Sequence, residues 1–174
     1  MTLFLVRHGR PLVNRERPAH EWPLDPEGYD DVVALQPRLP QGAAWYCSPE
    51  PKAVETAQLL TDGPVGMIEA LVEHRRAAGW VEDFEATVRR AFEHPGEPAH
   101  PGWEPLEVCR ERVALAGREV LAAHPGEDVV LVGHGTAWTL LAAELTGRPP
   151  DLDRWAALRL PDLVEVADGD LGHA

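Results

Sequence analysis

The chain alternates between short runs that are apolar throughout and longer segments whose apolar residues recur every three or four positions. Leu3-Phe4-Leu5-Val6 and Val129-Val130-Leu131-Val132 contain no polar residue, the pattern of strands buried on both faces of a parallel sheet. Residues 43–47, after Gly42, and 65–68 predict two further strands. Asp25-Pro26-Glu27 carries a helix-start signal, an N-cap followed by proline and an acid in the first turn. It leads into Val32, Val33, Leu35 and Leu39, with Pro37 and Pro40 closing or distorting that helix. Ser48-Pro49-Glu50-Pro51 opens a second helix through Val54, Ala57, Leu59 and Leu60, which sets Lys52 in its first turn. A modest amphipathic helix is expected over 81–92. The longest lies over 104–123, where Leu106, Cys109, Val113, Ala116 and Val120 keep helical spacing. A further helix runs from beyond Gly135 to Gly147, with Pro149 and Pro150 after it. Residues 155–160 and 163–166, separated by Pro161-Asp162, predict a closing hairpin, and 168–174 a frayed tail. Segments 14–22, 71–79 and 94–103 read as loops.

Composition narrows this picture. At 174 residues the chain suits a single domain, residues 1–174, with one full core. Asp and Glu number 29 against 16 Lys and Arg, a net charge of -13, so no broad basic surface serves DNA or RNA, and nucleic acid is not an expected partner. Every apolar run is far shorter than the roughly 20 residues of a membrane span, and no membrane association is expected. Two cysteines and no leader-like N-terminus point to the cytoplasm. Seventeen prolines and fifteen glycines are scattered between elements, which fits tight turns rather than a linker, and no internal repeat occurs. Oligomeric state is not encoded in any pattern here.

Chemistry concentrates where the two apolar strands stop. One ends in Arg7-His8-Gly9 and the other in Gly133-His134-Gly135, and parallel sheets carry their sites beyond the carboxyl ends of such strands. Glycine beside each histidine permits close approach by a ligand, and Arg7 offers a planar fork matched to phosphate oxygens. The expected ligand is an anion, most simply a phosphoryl group. A dinucleotide site over 129–135 is excluded in detail, since Trp138 stands where the third glycine belongs and no Gly-Lys-Ser/Thr occurs. Neither Cys47 nor Cys109 is followed six positions later by arginine, so both read as small core residues. His20, His74, His94, His100 and His124 lack metal-ligand spacing and read as surface residues.

These motifs resemble the histidine phosphatase superfamily, the phosphoglycerate-mutase-like fold, over most of the chain. Beside Arg7-His8-Gly9, Asn14 matches the family asparagine, and Pro23-Leu24-Asp25-Pro26-Glu27-Gly28 resembles its Pro-Leu-Thr-x-x-Gly helix entry. The segment Ser48-Pro49-Glu50-Pro51-Lys52-Ala53-Val54-Glu55-Thr56-Ala57 is similar to its Ser-x-x-x-Arg-Ala-x-x-Thr-Ala pattern. Leu71-Val72-Glu73 resembles the stretch with its acidic residue, Gly102-Trp103-Glu104 its Gly-Glu-Ser approach, and Gly133-His134-Gly135 its second histidine. Three departures stand out: Lys52 replaces the second arginine, Pro11 a threonine, and Gly79-Trp80-Val81-Glu82 only loosely matches Gly-x-Trp-Glu-Gly. The last makes Glu82 a rival to Glu73.

The resemblance implies an α/β fold, a three-layer α/β/α sandwich with a mixed, mainly parallel sheet. It implies metal-independent, cofactor-free hydrolysis of a small phosphomonoester. His8 would attack phosphorus, Glu73 would protonate the leaving oxygen and then activate water, and Arg7, Asn14, Lys52 and His134 would hold the phosphoryl oxygens. Mutase-type transfer, a protein phosphohistidine phosphatase, and a pseudoenzyme that only binds inorganic phosphate are the alternatives.

Overall fold

The computed structural model describes residues 1–77 and 79–171. Five strands, β1 (Thr2–Arg7), β2 (Ala44–Cys47), β3 (Gly66–Met67), β4 (Val129–Gly133) and β5 (Asp162–Ala167), form one sheet in the order β3-β2-β4-β1-β5. All neighbours run parallel except β5, which is antiparallel to β1. Six helices accompany it: α1 (Tyr29–Val33), α2 (Pro51–Leu60), α3 (Phe84–Glu93), α4 (Leu106–Ala123), α5 (Gly135–Thr146) and α6 (Leu152–Ala157). Successive strand residues point to opposite faces, and the two apolar strands feed both. Leu3, Leu5, Val129 and Leu131 pack with α4 and α5 through Val113, Val120, Leu140 and Leu141. Phe4, Val6, Val130 and Val132 pack with Val32 of α1 and with Ala57 and Leu60 of α2. The sheet therefore lies between two helical layers, a mixed and mainly parallel α/β/α sandwich.

The register of the central pair places the site. Arg7 lies opposite Gly133, and because β1 and β4 are parallel, the next residues, His8 and His134, leave the sheet side by side at its carboxyl edge.

The expected closing hairpin does not form. Residues 152–157 are the helix α6, capped by Asp151, whose side chain accepts from the Arg154 amide at 2.8 Å. Trp-Ala-Ala-Leu has no β-branched residue to favour a strand, and β5 finds its partner on the open edge of β1. The first helix is also shorter than its apolar spacing suggests. It divides into a 3-10 turn at Pro26–Gly28, α1, and another turn at Gln36–Arg38, since Pro37 has no N–H to continue the helical ladder. Helix α3 starts at Phe84, three residues later than its pattern begins. Of the tail expected to fray, Asp168–Asp170 forms a 3-10 turn and 172–174 lie outside the described residues, as does Ala78 of the loop at 71–79.

Candidate active site

Three strand ends form the floor of the site. The His8 amide donates to the Gly133 carbonyl at 2.8 Å and the Ser48 amide to that of Val132 at 2.9 Å, so the ladder continues one residue past β1 and β2. His8 is 7% exposed, and its Nδ1 lies 2.7 Å from the Gly9 carbonyl oxygen. A carbonyl only accepts, so Nδ1 carries the proton and Nε2 keeps its lone pair. Burial, then the neighbouring His134 and Lys52, push the His8 pKa well below its ordinary value, which leaves the ring neutral at physiological pH.

His134 is fully buried. Its Nε2 is 2.8 Å from Ser48 Oγ and 3.3 Å from a Glu50 carboxylate oxygen, and its ring centroid is 5.2 Å from that of His8. Burial lowers its pKa to about 3 despite the opposing charge of Glu73. Arg7 donates to the Leu158 and Arg159 carbonyls at 2.8 and 3.3 Å, while its Nε is buried with no partner among the described residues.

The two glycines act differently from the expected ligand approach. A Cβ on Gly9 would lie 2.5 Å from Val32 Cγ2 and 3.1 Å from Leu24 Cδ2, so its bareness admits core side chains. On Gly135 a Cβ would lie 3.2 Å from Arg7 Nε, so this glycine makes room for the guanidinium. Gly9 is further tied by its amide to Thr56 Oγ1 at 3.0 Å, whose hydroxyl donates to the Lys52 carbonyl at 2.6 Å. Helix α2 is thereby stitched to the Arg-His-Gly turn.

Lys52 is buried. Its Nζ donates to the Ala19 carbonyl at 2.7 Å and contacts Glu50 Oε2 at 2.5 Å, and it stands close enough to His8 and His134 to disfavour protonation of both. Glu73 lies at the N-terminus of α5, where its carboxylate accepts from the Thr136 amide at 3.1 Å and from those of Ala137 and His74 at 3.0 and 2.9 Å. Burial alone would raise its pKa, but Arg76, His134 and these amide donors outweigh it and hold the carboxyl at about 2. Glu82, by contrast, is exposed in the turn before α3. Asn14 is exposed too, its side-chain oxygen accepting from the Glu16 amide at 2.9 Å within its own loop. His74 is not a surface residue: it is 2% exposed and its Nε2 donates to the Glu104 carbonyl at 2.7 Å. Among the described residues no group of three His, Cys, Asp or Glu side chains is arranged to hold a metal ion.

Several residues that the motifs leave unremarked share this space. Glu50 is 6% exposed and accepts from the Glu73 amide at 2.9 Å while meeting Lys52 and His134. Arg112 donates to the carbonyls of Ala70, Val72 and Glu73 and pairs with Glu104 at 2.5 Å, fixing the segment that delivers Glu73. Arg76 donates to Thr136 Oγ1 at 3.1 Å. The adjacent Arg75-Arg76 in an acidic chain was the only sequence cue to the last.

A family model for the histidine phosphatase superfamily (branch 1) matches residues 3–167. The chain belongs to the histidine phosphatase superfamily. Among solved structures, YhfR of Bacillus stearothermophilus is 27% identical, with a TM-score of 0.74 over 99% of this chain and 95% of that one. A mycobacterial glucosyl-3-phosphoglycerate phosphatase in complex with VO3 is 24% identical, with a TM-score of 0.73 over 95% and 92%. A phosphoglycerate mutase from Bacillus anthracis is 19% identical, with a TM-score of 0.70 over 94% and 86%. Both of these last likenesses establish the fold, which is that of the phosphoglycerate-mutase-like histidine phosphatases. No curated protein is significantly similar in sequence.

Proposed function

We propose that this superfamily member hydrolyses a small phosphomonoester through a phosphohistidine on His8, without a metal. The observation that carries the reading is the His8 hydrogen bond to the Gly9 carbonyl, which leaves Nε2 as an unprotonated nucleophile beside two cations, Lys52 and Arg7. In the first step the Nε2 lone pair forms a bond to phosphorus as the P–O ester bond breaks, and Glu73 supplies the proton the leaving alkoxide needs. In the second, Glu73 takes a proton from water, whose oxygen attacks phosphorus and releases His8 and inorganic phosphate. Arg7 and His134 stabilise the charge spread over the non-bridging oxygens, with the positive charge of Lys52 nearby. Asn14 would join them only if the 14–22 loop turns inward on binding. Hydrolysis is preferred to mutase-type transfer because the connection from Glu73 to Gly102 is short and offers little to shape a second substrate position. Two buried, unpaired cysteines suit a reducing cytoplasm.

The test is turnover of a panel of phosphomonoesters, with 3-phosphoglycerate esters included, by the wild type and His8→Ala. Turnover is expected to fall below detection in the variant, together with an alkali-stable, acid-labile phosphoenzyme seen in the wild type. Turnover retained by His8→Ala would reject the nucleophile. Absence of turnover across the panel, with phosphate still bound, would favour the binding-only alternative.

A further inference from the structure

Arg76 is a guanidinium held in place with donors to spare. Its Cζ lies 4.7 Å from the Phe84 ring centroid and 4.8 Å from that of Trp103, so two aromatic faces set its position. One terminal nitrogen donates to Thr136 Oγ1, and its Nε is buried without a partner among the described residues. Arg7 Nε and His134 Nδ1 are buried and unpartnered in the same way. Thr136, which accepts from Arg76, gives its own amide to Glu73 at 3.1 Å, and the preceding Gly135 packs against the Arg7 guanidinium, which groups these side chains beside the α5 N-terminus. A buried donor left without an acceptor is costly, and the Nε–H groups of Arg76 and Arg7 together point to an acceptor that arrives with the ligand.

Lys52 is poorly placed to be the second strong cation of a phosphoryl clamp. Two of its three N–H groups are committed, to the Ala19 carbonyl and to Glu50, and the Glu50 carboxylate offsets its charge. Arg76 keeps a planar fork, and no carboxylate lies within 4.0 Å of it among the described residues. Fork geometry matches two phosphate oxygens at once, whereas an ammonium acts as a point charge.

We propose that Arg76, set between Phe84 and Trp103, binds the phosphoryl group of the substrate together with Arg7, and that Lys52 serves with Glu50 mainly as a buried ion pair that shapes the His8 side of the pocket. This rests on the phosphoryl-transfer reading above. Arg76 then reaches the phosphoryl oxygens from the Glu73 side and Arg7 from the β1 side.

Titration calorimetry with inorganic phosphate and with vanadate tests this without turnover, on the wild type, Arg76→Met, Arg76→Lys and Lys52→Met. Methionine keeps the apolar stem between the two rings. Arg76→Met should bind vanadate about 10- to 100-fold more weakly, the worth of a charge-assisted hydrogen-bond pair, and Lys52→Met less than either Arg76 variant. Should Arg76→Met prove unstable, Arg76→Lys carries the test, with a loss of about tenfold expected because the fork is gone. Unchanged vanadate affinity in the folded Arg76 variants would overturn the proposal. So would a kcat loss on phenyl phosphate that disappears with p-nitrophenyl phosphate at unchanged vanadate affinity, since Arg76 would then act only through Glu73. A wild type that neither binds vanadate nor turns over any ester would reject the phosphoryl-transfer reading itself.

Discussion

Glu73 starts from the wrong protonation state for an acid. With no anion beside it the carboxyl titrates near 2, held ionised by Arg76, His134 and the amides at the start of α5. In the proposed binding mode a phosphoryl dianion between Arg7, Arg76 and His134 brings negative charge next to the carboxylate and engages the cations that stabilise it, and both effects raise its pKa. On that proposed mode, proton uptake is coupled to substrate binding. Glu73→Gln keeps the size of the side chain and removes the proton donor. Its kcat should fall about 10²- to 10⁴-fold for an alkyl phosphate and far less for p-nitrophenyl phosphate, whose leaving group needs no proton. Equal losses with both esters would make Glu73 a structural anchor for α5. At this scale His8, His134, Arg7 and Glu73 were legible because each adjoins a strand end or a family motif. Glu50 and Arg76 were not, because Glu50 meets its partners only when α2 packs beneath β4, and Arg76 acquires meaning only between two aromatic rings from α3 and the 94–103 loop. Lys52 was legible as a cation but not as half of an ion pair, since the chain does not reveal which way Glu50 turns.

The β4–α5 unit converts backbone order into site geometry. Gly133 ends β4, and a Cβ there would lie 2.5 Å from Trp138 Cζ2 and 3.1 Å from Cη2. The indole has little room to retreat, because it is 2% exposed and its Nε1 donates to the Val6 carbonyl at 2.8 Å. Gly133→Ala should therefore destabilise the protein by about 1–3 kcal/mol, the usual cost of overpacking a filled core, as read from urea unfolding midpoints. It should also weaken activity by shifting His134. A neutral effect would show that α5 can slide over the sheet. The residue that looked like a nucleotide-loop mismatch, Trp138, is thus the brace that joins α5 to β1. Elements with strong periodic signals, namely β1, β4, α2, α4 and α5, were readable along the chain because burial on one or both faces dictates their residue types. The end of the chain was not, since the choice between α6 and a hairpin depended on an Asp151 cap and on β1 having a free edge, and the second of these is a property of the assembled sheet.

For the whole molecule, the site stores neutral imidazoles in a place where the unfolded chain would hold imidazolium. The native pKa of His134 is lowered to about 3, and that of His8 is also lowered, both chiefly by burial; His74 shifts the same way for the same reason. Below an unfolded value of 6.5 the unfolded state binds protons that the native state refuses, so stability falls as pH falls. The window opens at 6.5 and, for His134, closes only near 3. Each buried histidine contributes a slope of about 1.4 kcal/mol per pH unit within it. Glu73 adds to the loss at the acid end, because a carboxyl held at about 2 gives stability that is present above its ordinary value of 4.5 and disappears as pH falls through 2. Urea unfolding between pH 8 and pH 4 should therefore give a plateau above about pH 7 and a steep decline below 6.5. In His134→Asn the decline should be shallower by about 1.4 kcal/mol per unit, whatever the change in absolute stability. A curve flat down to pH 5, or an unaltered slope in His134→Asn, would mean that protons reach the pair in the native state and that the neutral nucleophile is not an equilibrium property of this fold.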